Sequence, residues 1–109
     1  MIIENLNPHS LDWTQIPIEK ILGERGVALV KIQQVGNIKF RMVEYSKAYA
    51  ADHWCEKGHI VHILFGELII EYKDRPAHTI KQDTTYVIGN NTTVHKVRSD
   101  DGATALIID

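Results

Sequence analysis

Asp52-His53-Trp54-Cys55-Glu56-Lys57-Gly58-His59-Ile60-Val61-His62-Ile63-Leu64-Phe65-Gly66 is the stretch on which the reading of this chain turns. Its second half, from His59, is a run of branched and aromatic residues stopped by a glycine, which reads as a buried strand followed by a tight bend. Its first half concentrates chemistry. Three of the six histidines and the only cysteine lie between positions 53 and 62. His53, Cys55 and His59 share one parity, so along extended backbone their side chains point to one face. Neutral imidazole and thiolate are strong ligands for borderline-soft divalent metals. His95 stands far downstream beside another strand-like run and supplies a fourth donor. The expectation is a metal held by His53, Cys55, His59 and His95 inside a folded-over β wall.

Outward from that stretch the pattern stays β. Residues 27–35 and 38–45 are rich in Val, Ile and aromatics and are separated by Gly36-Asn37, a turn pair. Residues 68–73 follow the bend at Gly66-Glu67, and Asp74-Arg75-Pro76 turns the chain toward a short strand at 78–81. Residues 84–88 and 92–97 flank Gly89-Asn90-Asn91, and Asp100-Asp101-Gly102 reads as a turn into a last strand at 103–108. Residues 18–22 fit one helical turn or an edge strand. Short strands at this spacing, with no long amphipathic helix, predict an all-β antiparallel sandwich or barrel. The segment 1–17 reads as irregular, with Leu6, Leu11, Trp13 and Ile16 available to pack on the barrel or on a partner subunit.

The chain has 109 residues, enough for one domain with a modest core. A formal net charge of −2 gives no basic excess for nucleic acid. No apolar run approaches the roughly 20 residues that span a bilayer, and the first residues lack the basic start and apolar stretch of a signal peptide. A lone Cys55 has no internal disulfide partner. Together these predict a cytoplasmic, reducing setting, in which a thiolate ligand persists.

The residues resemble those of the cupins, small β-barrels whose first motif places two histidines, a glutamate and a glycine at fixed spacing and whose second motif ends in a further histidine. His53, Cys55, His59 and Gly66 fall on the first spacing, and His95 falls where the second motif ends. Within that family the order Asp52-His53-Trp54-Cys55, the run Arg41-Met42-Val43-Glu44-Tyr45-Ser46 and the step Lys57-Gly58-His59 are most similar to a group named for an Asp-His-Cys-Trp motif. Two departures stand out: Cys55 replaces the usual second histidine and His59 the usual glutamate. The resemblance implies a cupin-type jelly-roll barrel spanning the chain, a divalent transition metal (zinc, iron or nickel) in its lumen, a small-molecule ligand or substrate, and a homodimer. The altered donor set, one sulfur and three nitrogens, is softer than the family's usual one.

Several residues carry two readings. The histidines can instead be interior groups satisfied by hydrogen bonds, and Cys55 a small buried hydrophobe. His62 has the opposite parity to His59 and is expected to face outward; His9 and His78 are expected at the surface. Asp52 fits either an acceptor for a ligand's second ring nitrogen or a turn residue. Arg41, Val43 and Tyr45 share one face and Met42 and Glu44 the other. If the first lines the lumen, Arg41 is placed to bind an anion and Tyr45 to donate a proton; the other reading, the favoured one, is a surface arginine beside a packed aromatic. Two functions follow: a metal-dependent enzyme of dioxygenase or isomerase type with an open coordination position, or a non-catalytic module with a closed four-ligand site. A metal-free scaffold with an apolar pocket is the third.

Overall fold

The structure is a computed structural model and describes residues 2–109. Eight strands follow one 3-10 turn at Trp13–Gln15: β1 Glu19–Leu22, β2 Val27–Val35, β3 Ile38–Ala50, β4 His59–Gly66, β5 Leu68–Tyr72, β6 His78–Ile80, β7 Thr85–Ile88 and β8 His95–Ile108. All pairings are antiparallel, in the order β1-β2-β3-β8-β4-β7, with β5 joining β8 and β6 joining β5. The segment at 18–22 resolves as the edge strand of its two readings. The strands expected at 27–35 and 59–65 appear within a residue of those bounds.

The two longest strands build the barrel. β3 passes through a left-handed residue at Ala48 (φ 58) and β8 through one at Gly102 (φ 92). Between them the register stays continuous, from Phe40↔Ile108 to Ala50↔Arg98. β8 takes β4 as its second neighbour over its C-terminal half and β5 over its N-terminal half. The expected turn at Asp100-Asp101-Gly102 is therefore a correction: Lys47 pairs with Asp101 straight through it. The glycine bends a strand whose neighbour continues alongside, and Ser99 Oγ accepts the Gly102 N–H at 2.9 Å.

Alternation along each strand sends Val43 and Tyr45 of β3, Val61 and Ile63 of β4, Leu68 and Ile70 of β5 and Ala103, Ala105 and Ile107 of β8 into one buried cluster. Ile63, Leu68 and Ala105 are fully enclosed. Burying an aliphatic side chain of this kind contributes about 1.5–3 kcal/mol against leaving it in water. The face question on β3 is thus settled: Arg41, Val43 and Tyr45 point inward. Tyr45 is wrapped in this core, 7% exposed, and burial pushes its phenol above its ordinary range, so it stays protonated and is held away from solvent.

The N-terminal segment is irregular apart from its single turn, where Asp12 accepts from the Thr14 N–H at 3.0 Å and hydroxyl at 2.6 Å. Lys31 Nζ donates to the Trp13 carbonyl at 2.7 Å and ties the segment to β2. A small cavity separates Leu6 and Leu11 from Phe40.

Candidate metal centre

Sequence order brings the donors together in three steps. Cys55 is not in a strand, yet it forms an antiparallel bridge with His95, the first residue of β8. Cys55 N–H donates to the His95 carbonyl at 2.7 Å and His95 N–H to the Cys55 carbonyl at 2.9 Å. The chain then turns through residues 56–58 and re-enters the sheet at His59, the first residue of β4. That turn is pinned to the loop after β7: Gly58 N–H donates to Asn90 Oδ1 at 2.7 Å, and Asn91 N–H to the Glu56 carbonyl at 2.9 Å. Any Cβ at position 58 would lie 2.6 Å from the Ile88 carbonyl oxygen, so only glycine lets β7 come this close.

The result is a cluster of Cys55, His59 and His95 whose ligating atoms all lie within 4.8 Å of one another. Cys55 Sγ is 3.8 Å from His59 Nε2, and the two imidazoles meet edge to face with centroids 5.5 Å apart. Lys57 N–H also donates to the sulfur, at 3.4 Å.

Each imidazole is oriented from behind. His59 Nδ1 donates to Asp109 Oδ2 at 2.7 Å, which leaves Nε2 facing the cluster. His95 Nδ1 lies 2.9 Å from the Thr93 hydroxyl, and its Nε2 is buried without any hydrogen-bond partner. A buried ring nitrogen with nothing to bond is costly, and a metal ion between Sγ and the two Nε2 atoms would satisfy it. The residues therefore fit a divalent cation: two nitrogens, one sulfur, and an oxygen partner on the far nitrogen of each ring, as metal-bound histidines have. Asp109 is itself held by Arg41 Nη2 at 3.1 Å and by reciprocal backbone bonds with Lys39. Arg41 thus spends its charge on the residue that orients His59.

Burial pushes both imidazoles below the ordinary histidine range. At His59 it outweighs the hydrogen bond and charge of Asp109; at His95 it outweighs a hydrogen bond involving Thr93. Both rings are consequently neutral at pH 7, the form that ligates. The sign of the stability effect follows. The unfolded chain takes up these protons near pH 6.5 while the fold resists them, so the metal-free protein loses stability as pH falls below that value. Its urea midpoint is expected to drop between about pH 7.5 and about pH 5.5, and His59→Gln is expected to flatten that drop.

His53 is not in the cluster. Its side chain is 81% exposed and its Nδ1 lies 2.6 Å from Asp52 Oδ1. The parity argument fails for it because residues 51–58 are not a regular strand: the chain bends at Asp52 and His53 and regains a sheet contact only at Cys55. Asp52 accepts from His53 and from no ligand of the cluster. Trp54 lies on the outside, with Lys96 and Lys73 ammonium groups 4.7 and 5.1 Å from its ring. His62 points to Thr85 Oγ1 at 2.8 Å, away from the cluster. Sequence reasoning missed Asp109 and Thr93. Asp109 was within reach of a parity argument, because it follows Ala105 and Ile107 on the inward face.

No protein-family model matches the chain and no curated protein matches its sequence. Solved structures do match in fold. A protein from Thermotoga maritima described as a predicted oxalate decarboxylase superposes with a TM-score of 0.77 at 12% identity, over 92% of this chain and 96% of that one. A cupin-2 domain from Rhodospirillum rubrum gives 0.71 at 16% identity, over 95% and 75%. Fe(II)-HppE with the alternative substrate (S)-1-HPP gives 0.72 at 9% identity, over 91% of this chain but 58% of that one. Among the described residues no helix is long and apolar enough to cross a membrane. Strand order, inward alternation and these likenesses together make the chain a cupin-fold protein with a jelly-roll barrel.

Proposed function

We propose that this protein binds a divalent transition metal through Cys55, His59 and His95 and uses it on a small-molecule ligand. One observation carries the reading: two donors from one turn and a third from a distant strand converge within 4.8 Å, with one ring nitrogen left buried and unpaired. Three protein donors leave a coordination position free, the arrangement of catalytic rather than structural zinc sites. When bound, the ion would supply Lewis acidity toward a ligand oxygen. The chain's own residues do the rest: Asp109 and Thr93 fix the rings, Arg41 fixes Asp109, and the core around Tyr45 and Ile63 keeps the wall rigid. The thiolate favours zinc or nickel, with iron(II) also accommodated. Two fold neighbours are named as a predicted oxalate decarboxylase and an iron(II) enzyme, which supports chemistry of metal-dependent type.

Kinship with the Asp-His-Cys-Trp group rests on the order Asp52-His53-Trp54-Cys55. A reducing, cytoplasmic setting suits a thiolate ligand. Pairing of two copies is supported by exposed apolar residues on the sheet, Phe65 and Val87 at 65% and 71% exposure, and by the free edge at β1.

The non-catalytic alternative, a closed site, needs a fourth protein ligand, and His53 is the residue that would have to swing in to provide it. Elemental analysis of protein loaded with zinc and dialysed tests the site, and loss of zinc on His53→Ala would mark the closed one. Cys55→Ala is expected to weaken zinc retention by at least about tenfold, because one of three donors is gone. A variant that holds zinc as tightly as the parent removes the thiol from the site.

A further inference from the structure

A cleft of about 640 Å³ opens where β4 begins and β7 ends, within the size range of small-molecule sites. The metal centre accounts only for His59 and Asp109 in its lining. The remaining walls have a chemistry of their own. Lys39 and Lys57 reach the cleft from two separate segments, and Asp109 is the one carboxylate among the lining residues. That carboxylate faces both Arg41 at 3.1 Å and Lys39 at 3.9 Å, so one negative charge stands against Arg41, Lys39 and Lys57 and the cleft keeps an excess of positive charge. Asp109 Oδ1 is buried and makes no hydrogen bond; the Lys39 ammonium faces it at 3.9 Å, an ion pair too long to be one, so the oxygen can still take a hydroxyl when Lys39 turns to a ligand.

Amide groups extend the pattern. Asn90 Oδ1 is occupied by the Gly58 N–H, which leaves its amide hydrogens to donate. Gln34 gives its amide to the Gly36 carbonyl, which leaves its oxygen to accept. Ile60, Val87 and Ile108 complete the cleft with apolar surface. A ligand matching these walls is an anion with hydroxyl groups on a short carbon skeleton.

We propose that the cleft binds a small hydroxy-carboxylate, with its carboxylate at Lys39 and Lys57 and a hydroxyl donated to Asp109 Oδ1. This deepens the metal reading by naming the substrate class, and it rests on that reading for His59, the residue the two sites share. The lysine and aspartate contacts themselves do not require the ion.

Titration of the ¹⁵N-labelled protein with gluconate, tartrate and lactate, in metal-free and zinc-loaded forms, tests the proposal. Sorbitol serves as the neutral control and inorganic phosphate as the plain anion. At least one acid is expected to give saturable amide shifts at residues 57–60, 88–90 and 109, weakening with added salt. Lys39→Gln and Lys57→Gln are each expected to weaken it about fivefold. Phosphate is expected to shift the lysine segments and to leave Asp109 unmoved. The proposal is overturned if none of the acids shifts these residues, if sorbitol binds equally, if the double lysine variant keeps full affinity, or if phosphate reproduces every shift. Acid binding in protein that retains no zinc would sink the metal reading and leave this one standing. Retained zinc without acid binding would do the reverse.

Discussion

His95→Ala is expected to strip the metal from this protein. His95 is 2% exposed, is locked to Cys55 by two backbone bonds, and holds the only buried unpaired ring nitrogen found among the described residues. Losing an outer hydrogen-bond partner of a ligand already costs 10–100-fold in metal affinity as a rough rule. Losing the ligand itself is therefore expected to cost at least about 100-fold. Elemental analysis after dialysis reads the loss directly. A second reading is thermal: added zinc should raise the melting temperature of the parent by mass action and leave that of the variant unchanged. His53→Ala is the matched control. Its imidazole is exposed and paired with Asp52, so its removal is expected to change neither zinc content nor melting temperature. If His53→Ala loses zinc and His95→Ala keeps it, the three-donor centre is wrong.

Gly66→Ala is expected to cost the fold roughly 3 kcal/mol, a large share of the 5–15 kcal/mol typical of a domain. Gly66 ends β4 at φ 74, where an L side chain alone costs about 1–2 kcal/mol. The added methyl would also press well inside contact distance of the Gly102 carbonyl oxygen, which is backbone on the central strand and has no room to yield. Gly36 separates the two effects. It has nearly the same dihedral, φ 60, but nothing lies within 4 Å of the position a Cβ would take. Gly36→Ala should therefore lose only about 1 kcal/mol. Urea unfolding of both variants at constant slope gives the comparison. Equal losses would mean that the close approach of β4 to the bend in β8 contributes nothing.

Much of the fold was legible because strand alternation is a local signal. Residues 27–35 and 59–65 announce themselves by composition, and Gly66 by the bend it must allow. Two features were hidden, for one reason: they depend on what lies alongside. Asp100-Asp101-Gly102 has the residues of a reversal, but β3 pairs across it and keeps it extended. Likewise the inward face of β3 could not be chosen from Arg41 to Tyr45 alone, because both faces carry apolar and charged groups.

The site divides in the same way. Cys55, His59 and His95 were readable as chemically capable residues, and the structure gathers all three. His53 was counted with them on a parity that holds only for regular strand, and the chain at 51–58 is not one. Parity could have put Asp109 on the inward face, but its partner comes from register: it meets His59 through the pairing of Ile60 with Ile108 one step away, whereas Thr93 reaches His95 locally, two residues before it.

The strand that joins β3, β4 and β5 is also the last of the eight described strands to leave the ribosome. Until β8 emerges, β3 and β4 have no common neighbour, and β5 with β6 is a lone hairpin, which is marginal in water. Its contacts close loops as long as the span from Phe40 to Ile108, so the sheet cannot close until β8 has been made, and closure is then slowed by its entropy. His95 and Asp109 ride on and just beyond that same strand. The nascent chain therefore exposes Cys55 and His59 as unassembled donors, and His95 joins them only as the barrel shuts.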